Sequence, residues 1–463
     1  MKVAGIVAEY NPFHNGHMYH IARTRELCGA THIICVMSGD YVQRGDTAVA
    51  DKYGRTAAAL KCGADLVIEL PAVYALGSAE RFARSAVGML DMLGCVDVLS
   101  FGSECGDIEL LKTAAAAADG ADKAALGEYL KSGLSYPAAL SKTLSDNGAS
   151  DDVLNALGSP NDILGIEYIR ALSALGSPIV PFAVKRHGAE HDGKSGEKGF
   201  LSAKEIRERL AKGLDLSAFL PYNNGESVCI SRLETAILAR LRTLSVDELA
   251  QLPDISNGAE NRIYRAIREA TTLDGLYGAI KSKRSTLSGA RRLVMCAFLG
   301  ITKQLADESP AYLRILGMNG RGKEILSAAS CPIPIDTSLS ALAGKSDTAA
   351  RQAELQSRAH DLYVLAYENK RPCGGEYTAK PVIIRNAEKR KCPICGKYTF
   401  EDYNDFDICE VCYWQNDGIQ EKDPDYEGGA NVMSLNQMRR AYARGLECRA
   451  AAEEYQKGER WED

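Results

Sequence analysis

Residues 5–17 constrain the possible folds of this chain more than any other part of its sequence. The apolar run Val3–Ala8 predicts a buried strand, Asn11-Pro12 interrupts that run, and Asn15–Cys28 has the spacing of apolar residues that is typical of a helix. A helix that begins directly after a strand presents unpaired N–H groups and the positive end of its dipole to a ligand. The order of strand, turn and helix therefore predicts a site for phosphate groups.

Two histidines stand at the start of this predicted helix. His14 and His17 are three residues apart, so they share one face of the helix, and Gly16 between them allows a ligand to approach the backbone closely. Two imidazoles and free backbone amides can hold a triphosphate and stabilise the charge that develops at the α-phosphorus during adenylyl transfer. On the residues alone, an ordinary pair of histidines at a helix start is an equally good interpretation.

Strand and helix patterns alternate through the first part of the chain. Strands are predicted at residues 3–8, 31–37, 65–70 and 96–101, with helices at residues 15–28, 51–63 and 78–93. This alternation predicts a Rossmann-like α/β domain with a parallel sheet, in which ligands bind at the carboxyl ends of the strands. Gly102 follows the fourth strand and could let an adenine or a ribose lie against the backbone, although a simple turn explains it as well.

Further polar residues follow predicted strands or begin predicted helices. Gln43 and Arg44 lie in a long polar loop and could contact a phosphate or a carboxylate, and Arg186 ends a later strand where it could pair with a phosphate. Ser202 is a typical helix N-cap, and Arg207 in that helix could hold a leaving pyrophosphate. The alternatives are that Gln43 and Arg44 lie in a solvated loop, that Arg186 is a surface charge, and that Ser202 and Arg207 belong to an ordinary surface helix.

The four residues 14–17, His-Asn-Gly-His, resemble the His-x-Gly-His signature of the nucleotidyltransferase superfamily. Six segments in order, at residues 9–17, 37–44, 65–71, 101–104, 160–168 and 202–207, together resemble the bacterial tRNA(Met) cytidine acetate ligase family over about residues 1–385. The resemblance implies an ATP-dependent carbon–nitrogen bond-forming ligase that converts ATP and acetate into acetyl-adenylate. The acetyl group then passes to N4 of the wobble cytidine of elongator tRNA(Met), giving N4-acetylcytidine, AMP and pyrophosphate.

The same resemblance implies which residues carry the reaction. His14 and His17 would be catalytic, with Mg²⁺ on the phosphates of the nucleotide. The implied ATP site comprises Val7, Ala8, Glu9, Tyr10, Asn11, Pro12, Phe13, His14, Asn15, Gly16, His17, Met18, Tyr19, His20, Gly102, Asn161 and Arg186. Asp40 stands where the family is expected to have Asn, and Lys204 where a small hydroxyl residue is common. Both are expected near the entrance for the substrate.

From residue 226 to residue 375 the strand pattern gives way to helical periodicity, which predicts a separate α-helical domain. Within it lie five basic residues that could neutralise RNA phosphates. They are Lys281, Lys283, Arg284, Arg291 and Arg292. A run of charges is usually a solvated face, but this run also resembles the tRNA-binding region of the ligase family. It is therefore predicted to contact tRNA.

Four of the fourteen cysteines form two C-x2-C knuckles, whereas the other ten are scattered and are predicted to be reduced. The four are Cys392, Cys395, Cys409 and Cys412. Four thiolates on two turns complete a tetrahedral Zn²⁺ shell with no open position, so a structural zinc is predicted. Disulfides are disfavoured in a cytosolic chain, and redox pairs in the knuckles, the alternative, lack a thioredoxin-like context.

Residues 376–463 are thus predicted to form a small zinc-ribbon-like module, which resembles the cysteine-rich CPCC family, whose function is not established. From residue 371 onward there are 14 basic and 18 acidic residues, so docking on a protein partner or a stabilising role is favoured over RNA binding. Tyr413 and Trp414 could contact that partner or could form the core of the module. One long helix is predicted at residues 435–454.

Composition sets limits on the remaining alternatives. With 46% hydrophobic and 25% charged residues and no run of about 20 apolar residues, the 463-residue chain is predicted to be a cytoplasmic protein without a membrane segment or signal peptide. The net charge of −6 neither indicates nor excludes nucleic-acid binding.

The predicted domains are residues 1–225, 226–375 and 376–463. The alternative functions are a small-molecule adenylyltransferase that joins AMP to a phosphorylated cofactor precursor, and a nucleotide-binding regulator.

Overall fold

The chain divides into two compact units, Met1–Ile384 and Arg385–Asp463. The fold is that of a computed structural model, which describes residues 1–186, 201–222, 226–255, 258–282, 286–384, 390–400, 407–427 and 429–456. The finer predicted division, with boundaries at residues 225 and 375, stays a prediction. None of the helices in the described part of the chain combines the length and the apolar character that crossing a bilayer requires.

A mainly parallel sheet forms the centre of the first unit. The strands of this unit are β1 Val3–Ala8, β2 His32–Ser38, β3 Tyr41–Val42, β4 Asp46–Thr47, β5 Leu66–Leu70, β6 Val98–Ser103, β7 Val180–Lys185, β8 Leu313–Met318, β9 Ile335–Asp336 and β10 Val382–Ile383. The order across the sheet is β10-β8-β5-β2-β1-β6-β7, with β9 beside β8, while β3 and β4 form a separate hairpin. The parallel strands β5-β2-β1-β6-β7 confirm the predicted Rossmann-like architecture.

The chain reverses its direction across the sheet between β1 and β6. Gly5 of β1 lies opposite Ile34 of β2 on one side and Leu99 of β6 on the other. The first crossovers build the sheet outward to β5, and the chain then returns to the other side of β1 to form β6 and β7. Such a reversal leaves a crevice at the carboxyl ends of the strands, because the loops on its two sides run in opposite directions.

Helices cover the sheet and continue beyond it. They are α1 Asn15–Cys28, α2 Lys52–Lys61, α3 Ala72–Ala75, α4 Ala79–Asp91, α5 Ile108–Asp119, α6 Lys123–Lys131, α7 Tyr136–Asp146, α8 Asp151–Ala156, α9 Pro160–Leu175, α10 Ala203–Ala211, α11 Glu234–Arg242, α12 Val246–Ala250, α13 Ala259–Glu269, α14 Leu273–Ile280, α15 Leu287–Leu299, α16 Lys303–Asp307, α17 Gly320–Ala328, α18 Leu339–Ala343, α19 Asp347–Tyr363 and α20 Gly375–Thr378. The bounds of β1 and α1 agree with the prediction from sequence.

The strand β8 was not predicted, because the region that contains it was expected to be helical throughout. It pairs antiparallel with β5 and parallel with β10, so residues from the end of the first unit extend the sheet. Gly317 allows the close approach of β10, since a Cβ atom there would lie 2.5 Å from the carbonyl oxygen of Val382. Arg314 within β8 is also buried, which is unusual for a strand in a sheet centre.

The burial of Arg314 is explained by an ionic cluster beneath the sheet edge. Its guanidinium contacts the carboxylates of Glu69 at 3.1 Å and of Glu376. The Nζ atom of Lys52 lies 2.6 Å from Glu69, 2.5 Å from Glu376 and 3.4 Å from Asp40, whose Oδ2 also contacts His360 Nδ1 at 3.0 Å. This buried cluster connects strands, helices and the short helix α20 near the end of the first unit.

The second unit is organised around its cysteines. It contains the hairpin of β11 Arg390–Lys391 and β12 Thr399–Phe400, followed by α21 Gly418–Lys422, α22 Leu435–Ala443 and α23 Cys448–Gln456. The prediction of one helix at residues 435–454 was wrong, because the chain turns between α22 and α23. Gly445 has a φ of 91° there, a left-handed conformation that ends a helix and that glycine adopts without strain.

Candidate active site

A cavity of about 700 Å³ opens at the carboxyl ends of β1, β6 and β7, where the topology predicts a crevice. Most of the predicted site residues line it. They are Val7, Ala8, Glu9, Tyr10, Asn11, His14, Gly16, His17, Tyr19, His20, Gln43, Arg44, Gly102, Asn161, Arg186, Ser202 and Arg207. Four residues of the predicted ATP stretch, Pro12, Phe13, Asn15 and Met18, do not line it, and Phe13 is fully buried.

The two histidines cap the helix that they begin. His14 is the N-cap of α1, and its Nδ1 accepts a hydrogen bond from the Gly16 N–H at 3.0 Å. Nδ1 of His17 accepts one from the backbone N–H of His14 at 3.3 Å, and the two rings stack with 3.8 Å between centroids. Because a neutral imidazole whose Nδ1 accepts must carry its proton on Nε2, both rings have Nε2–H groups available as donors.

The environment keeps these imidazoles uncharged. Burial and the positive charge of Arg186 lower the pKa of His14 to about 4 and that of His20 to about 4. Burial, followed by the neighbouring His14 and Arg186, also lowers the pKa of His17 well below its usual value. At neutral pH the ligand-free site therefore offers neutral Nε2–H donors at the helix start, and its positive charge comes from arginine and lysine side chains.

Another wall of the cavity is formed where β6 meets the start of α9. The Glu104 carboxylate accepts hydrogen bonds from the N–H groups of Asn161 and Asp162 and from the Asn161 side chain. In return, the Asp162 carboxylate accepts from Ser103 Oγ and from the Glu104 N–H at 2.9 Å. This reciprocal pairing satisfies the orphan donors at the start of α9 and fixes Asn161 at the cavity wall.

Arg186 lies over the glycine that was predicted to receive a nucleoside. A Cβ atom at Gly102 would lie 3.4 Å from Cγ of Arg186, and the backbone N–H of Arg186 donates to the Ser103 carbonyl at 3.0 Å. Gly102 is therefore part of the cavity wall beside an exposed guanidinium, not an isolated turn.

A second end of the cavity lies around Glu9, directly after β1. Glu9 Oε1 accepts the backbone N–H of Gln43 at 2.8 Å, and Arg207 of α10 donates to the Asn11 carbonyl at 2.8 Å. Ser202 and Glu205 form the capping box that starts α10, as expected from the serine. This end thus brings together the loop after β2, the start of α10 and the end of β1.

The two departures from the family pattern have different positions. Lys204 lines the cavity and its side chain is 74% exposed, as expected for the entrance. Asp40 was expected there too, and that expectation was wrong, since its side chain is 0% exposed and belongs to the ionic cluster. Burial opposes ionisation of Asp40, but the charges of Lys52 and His360 hold its pKa well below its usual range.

The predicted tRNA contacts are not all alike. Arg292 of α15 lines the cavity and donates to the Gln43 carbonyl at 3.3 Å, whereas Arg291 lies over the ring of Tyr277 at 5.3 Å outside the cavity. Lys281 is exposed at the end of α14. Lys283 and Arg284 lie outside the described residues. The turn between β3 and β4 contacts the middle of α15 closely, since a Cβ atom at Gly45 would lie 2.5 Å from the backbone nitrogen of Arg292.

Several cavity residues were not assigned a role from the sequence. Glu104 and Lys185 stand at the ends of β6 and β7, so the rule that ligands meet strand ends could have identified them. Phe82 and Tyr168 lie on α4 and α9 and give the cavity an aromatic wall. Their apolar spacing is that of ordinary core residues, so the sequence contains no signal for them.

The four knuckle cysteines of the second unit come together as predicted. Their sulfur atoms all lie within 4.8 Å of one another, with Cys392 and Cys412 at 3.5 Å and Cys395 and Cys409 at 3.6 Å. A tetrahedral Zn²⁺ with bonds of 2.3 Å would hold sulfur atoms about 3.8 Å apart. Backbone N–H groups point at the Cys395 and Cys409 sulfurs, as thiolate ligands require. The donor set therefore fits zinc.

Tyr413 and Trp414, which follow the second knuckle, were considered as contacts for a partner or as core residues, and the structure shows a different environment for each. Trp414 is fully buried among the cysteines and the methionines of the module, so it is a core residue. Tyr413 is 46% exposed and has a φ of 63°, a left-handed conformation that is uncommon for a residue with a side chain. Only Tyr413 is thus available for a contact outside the module.

The parallel sheet, the strand-end cavity and the paired histidines at the start of α1 define a nucleotidyltransferase. Residues 1–376 match the family described as HIGH Nucleotidyl Transferase, and residues 390–460 match the family described as Cysteine-rich CPCC. A tRNA(Met) cytidine acetate ligase of Thermoanaerobacter sp. (strain X514) is 38% identical over 400 residues, which cover 81% of this chain and 98% of that protein. The chain belongs to the tRNA(Met) cytidine acetate ligase family.

Further relatives agree with this assignment. The tRNA(Met) cytidine acetate ligase of Acetivibrio thermocellus is 35% identical over 415 residues, covering 83% of this chain and 100% of that protein. The crystal structure of Thermotoga maritima TmcAL bound with alpha-thio ATP has a TM-score of 0.75 and 32% identity, covering 83% of this chain and 100% of that chain. The apo structure of the same Thermotoga protein gives a TM-score of 0.75 and 33% identity.

Proposed function

We propose that this protein is a cytoplasmic ligase that uses ATP to activate acetate as acetyl-adenylate and acetylates N4 of the wobble cytidine of elongator tRNA(Met). The products are N4-acetylcytidine, AMP and pyrophosphate. The observation that carries the proposal is the cavity at the strand ends, with His14 and His17 at the helix start that borders it. The chain also matches 98% and 100% of the length of two tRNA(Met) cytidine acetate ligases.

The charge around the cavity suits a nucleoside triphosphate and an RNA. Its basic side chains are Arg44, Lys185, Arg186, Lys204, Arg207 and Arg292, and its carboxylates are Glu9 and Glu104. Such an excess of positive charge attracts polyphosphates despite the net charge of −6 of the whole chain. Mg²⁺ would arrive on the phosphate oxygens of ATP and neutralise part of their charge.

In the first step an acetate oxygen attacks the α-phosphorus of ATP and pyrophosphate leaves. The Nε2–H groups of His14 and His17 would donate to the α-phosphate oxygens as negative charge grows on them. Arg186 would support the same charge from the opposite wall, beside Gly102 and Asn161, where the nucleoside would lie. Adenylation is needed because a free carboxylate is too poor an electrophile for an exocyclic amine.

In the second step the wobble cytidine, unstacked from the anticodon loop, would enter the cavity and attack the mixed anhydride. We assign Gln43, Arg44, Ser202 and Arg207 to the acyl-phosphate end of this cavity and Lys281, Lys283, Arg284, Arg291 and Arg292 to tRNA phosphates. The position of Arg292 at the cavity supports a path for tRNA across α15.

Release of pyrophosphate tests the function. We expect purified protein to release pyrophosphate from ATP at full rate only when both acetate and unmodified tRNA are present, with labelled acetate recovered in tRNA(Met). Inactivity with both substrates, followed by pyrophosphate release on a phosphorylated small metabolite, would instead favour the adenylyltransferase of a cofactor precursor. That alternative shares the nucleotide end of the cavity, but it needs no RNA path beside Arg292.

We further propose that the second unit holds one structural Zn²⁺ and docks on a protein partner through its surface at Tyr413. A Zn²⁺ bound by Cys392, Cys395, Cys409 and Cys412 would have no open position, so it would tie the two knuckles together rather than take part in chemistry.

We expect Cys409→Ser to remove the zinc from the protein and to unfold the second unit, because binding free energy at such a site is largely folding free energy. Elemental analysis of the purified chain and proteolysis of residues 385–463 measure the two effects. Cys229→Ser is the control, since Cys229 is an exposed cysteine outside the cluster and its loss should leave the zinc content unchanged. A wild-type chain that resists proteolysis without any bound metal would contradict the proposal.

A further inference from the structure

The cavity contains two carboxylates with different surroundings. Glu104 is fully engaged, because both of its oxygens accept hydrogen bonds from the start of α9. Glu9 has a single hydrogen bond among the described residues, from the Gln43 N–H to Oε1 at 2.8 Å. Glu9 lines the cavity, and no described residue donates a hydrogen bond to its Oε2, so this oxygen can accept a proton or a hydrogen bond from a bound molecule.

The other titratable groups of the cavity are poor proton acceptors. His14 and His17 use Nδ1 to cap α1 and carry hydrogen on Nε2, so they donate into the cavity. Nε2 of His20 is engaged with Ser100 Oγ at 3.0 Å, and the hydroxyl of Tyr10 contacts the Cys35 thiol at 3.2 Å. Lysine and arginine side chains act as hydrogen-bond donors. Glu9 is therefore the base that the described cavity residues offer.

Glu9 and the histidines have partly different charged neighbours. Arg186 acts on both His14 and His17, whereas Arg44, Arg55 and the hydroxyl of Tyr168 face Glu9. Arg207 faces both His14 and Glu9. Both ends meet at the carboxyl end of β1, so a group bonded to the α-phosphorus at the histidines would extend toward Glu9.

We propose that Glu9 accepts the proton released by the cytidine N4 amine when the amine attacks the acetyl-adenylate, an inference that rests on the proposed function. The amine nitrogen forms a bond to the acetyl carbon, and the bond from that carbon to the phosphate oxygen breaks, so AMP leaves with the electron pair. One amine proton passes to Oε2 of Glu9 and then to solvent. Before the attack, the same oxygen accepts a hydrogen bond from the amine, which is how carboxylates recognise cytosine N4.

The surroundings suit this role. Burial raises the pKa of Glu9, although the Gln43 N–H and the guanidinium groups of Arg44, Arg207 and Arg55 act in the opposite direction. A carboxylate with a raised pKa is a stronger base than one in water, and the nearby arginines favour its charged form. Arg44 and Arg207 also stand where a polyanion would bind, so the proton acceptor and the anion-binding groups share one wall.

Two partial reactions separate this role from nucleotide binding. Acetate-dependent exchange of labelled pyrophosphate into ATP reports adenylate formation without tRNA, and single-turnover transfer of labelled acetate to tRNA(Met) reports the second step. For Glu9→Gln we expect transfer slower by about 100-fold or more, the usual contribution of a general base, and exchange reduced much less than transfer. Glu9→Asp, which keeps a carboxylate, should recover part of the transfer rate.

Glu104→Gln is the matched control, because it alters the other cavity carboxylate. It should slow exchange and transfer together, since Glu104 holds the start of α9 and Asn161 at the nucleotide end. If Glu9→Gln slows both reactions equally, or leaves transfer unchanged, Glu9 is not the proton acceptor. If the wild-type protein itself shows no acetate-dependent exchange, the proposed function fails and the inference fails with it.

Discussion

Lys52→Met should lower the free energy of unfolding by about 3–5 kcal/mol, the cost of leaving buried charges without their partner. The side chain of Lys52 is 0% exposed and its Nζ contacts Glu69, Glu376 and Asp40 within 3.4 Å. Methionine has a similar length but no charge, so the carboxylates would lose one cation and would keep their contacts with Arg314 and His360. Chemical denaturation followed by the circular dichroism of the helices measures the change.

Lys112→Met provides the comparison for an exposed ion pair. Lys112 contacts Glu109 at 2.8 Å on α5, and both side chains are largely in solvent. Water and salt screen such a pair, so its removal should produce no measurable loss of stability. Equal effects of the two substitutions would mean that the buried cluster contributes little to the fold. Asp40 of the cluster begins the loop that carries Gln43 and Arg44 to the cavity.

His17→Ala should reduce acetate-dependent pyrophosphate exchange by about 100-fold to 1,000-fold, the range observed when one donor to a developing oxyanion is removed. The substitution deletes an Nε2–H donor and also leaves the His14 N–H without its acceptor. It should therefore cost about 1 kcal/mol of helix stability in addition, as the loss of a helix cap does. Quenched time points of pyrophosphate exchange measure the loss of activity, and thermal unfolding measures the loss of stability.

His32→Gln is the control for this prediction. His32 stands at the amino end of β2, away from the cavity, where it contacts Glu324 at 2.9 Å. Because it does not line the cavity, its replacement should leave the exchange rate unchanged. Exchange that persists in His17→Ala would show that His14 and Arg186 are sufficient, and His17 would then have only its capping role.

The start of the chain could be read from sequence because the interactions that form it are local. Val3–Ala8 is a continuous apolar run, as a buried parallel strand requires, and the cap of α1 involves residues within three positions of one another. The knuckles of the zinc site are local in the same sense, since Cys392 and Cys395, like Cys409 and Cys412, stand on single turns. Such short-range patterns can be recognised in the sequence because they do not depend on distant parts of the chain.

Other features depend on residues that are far apart in the chain. Arg314 resembles a surface residue in the sequence, yet it is buried because its partners Glu69 and Glu376 lie 245 and 62 positions away. Asp40 resembles a residue of a polar entrance loop, but Lys52 and His360 draw it into the same cluster. Glu9 and Glu104 are both carboxylates after strands, and only their hydrogen-bond partners distinguish the engaged one from the free one.

Periodicity and spacing were thus sufficient for the parallel sheet, the start of α1 with its two histidines, and the cysteine cluster, since each arises from contacts within a few residues or from one repeated period. Tertiary packing decided the position of the strand β8 and the members of the buried ionic cluster. It also decided that Glu9, unlike Glu104, has one oxygen without a donor among the described residues. Whether a charged side chain is buried, paired or open to a ligand depends on which distant groups the fold brings to it, and no local pattern encodes that proximity.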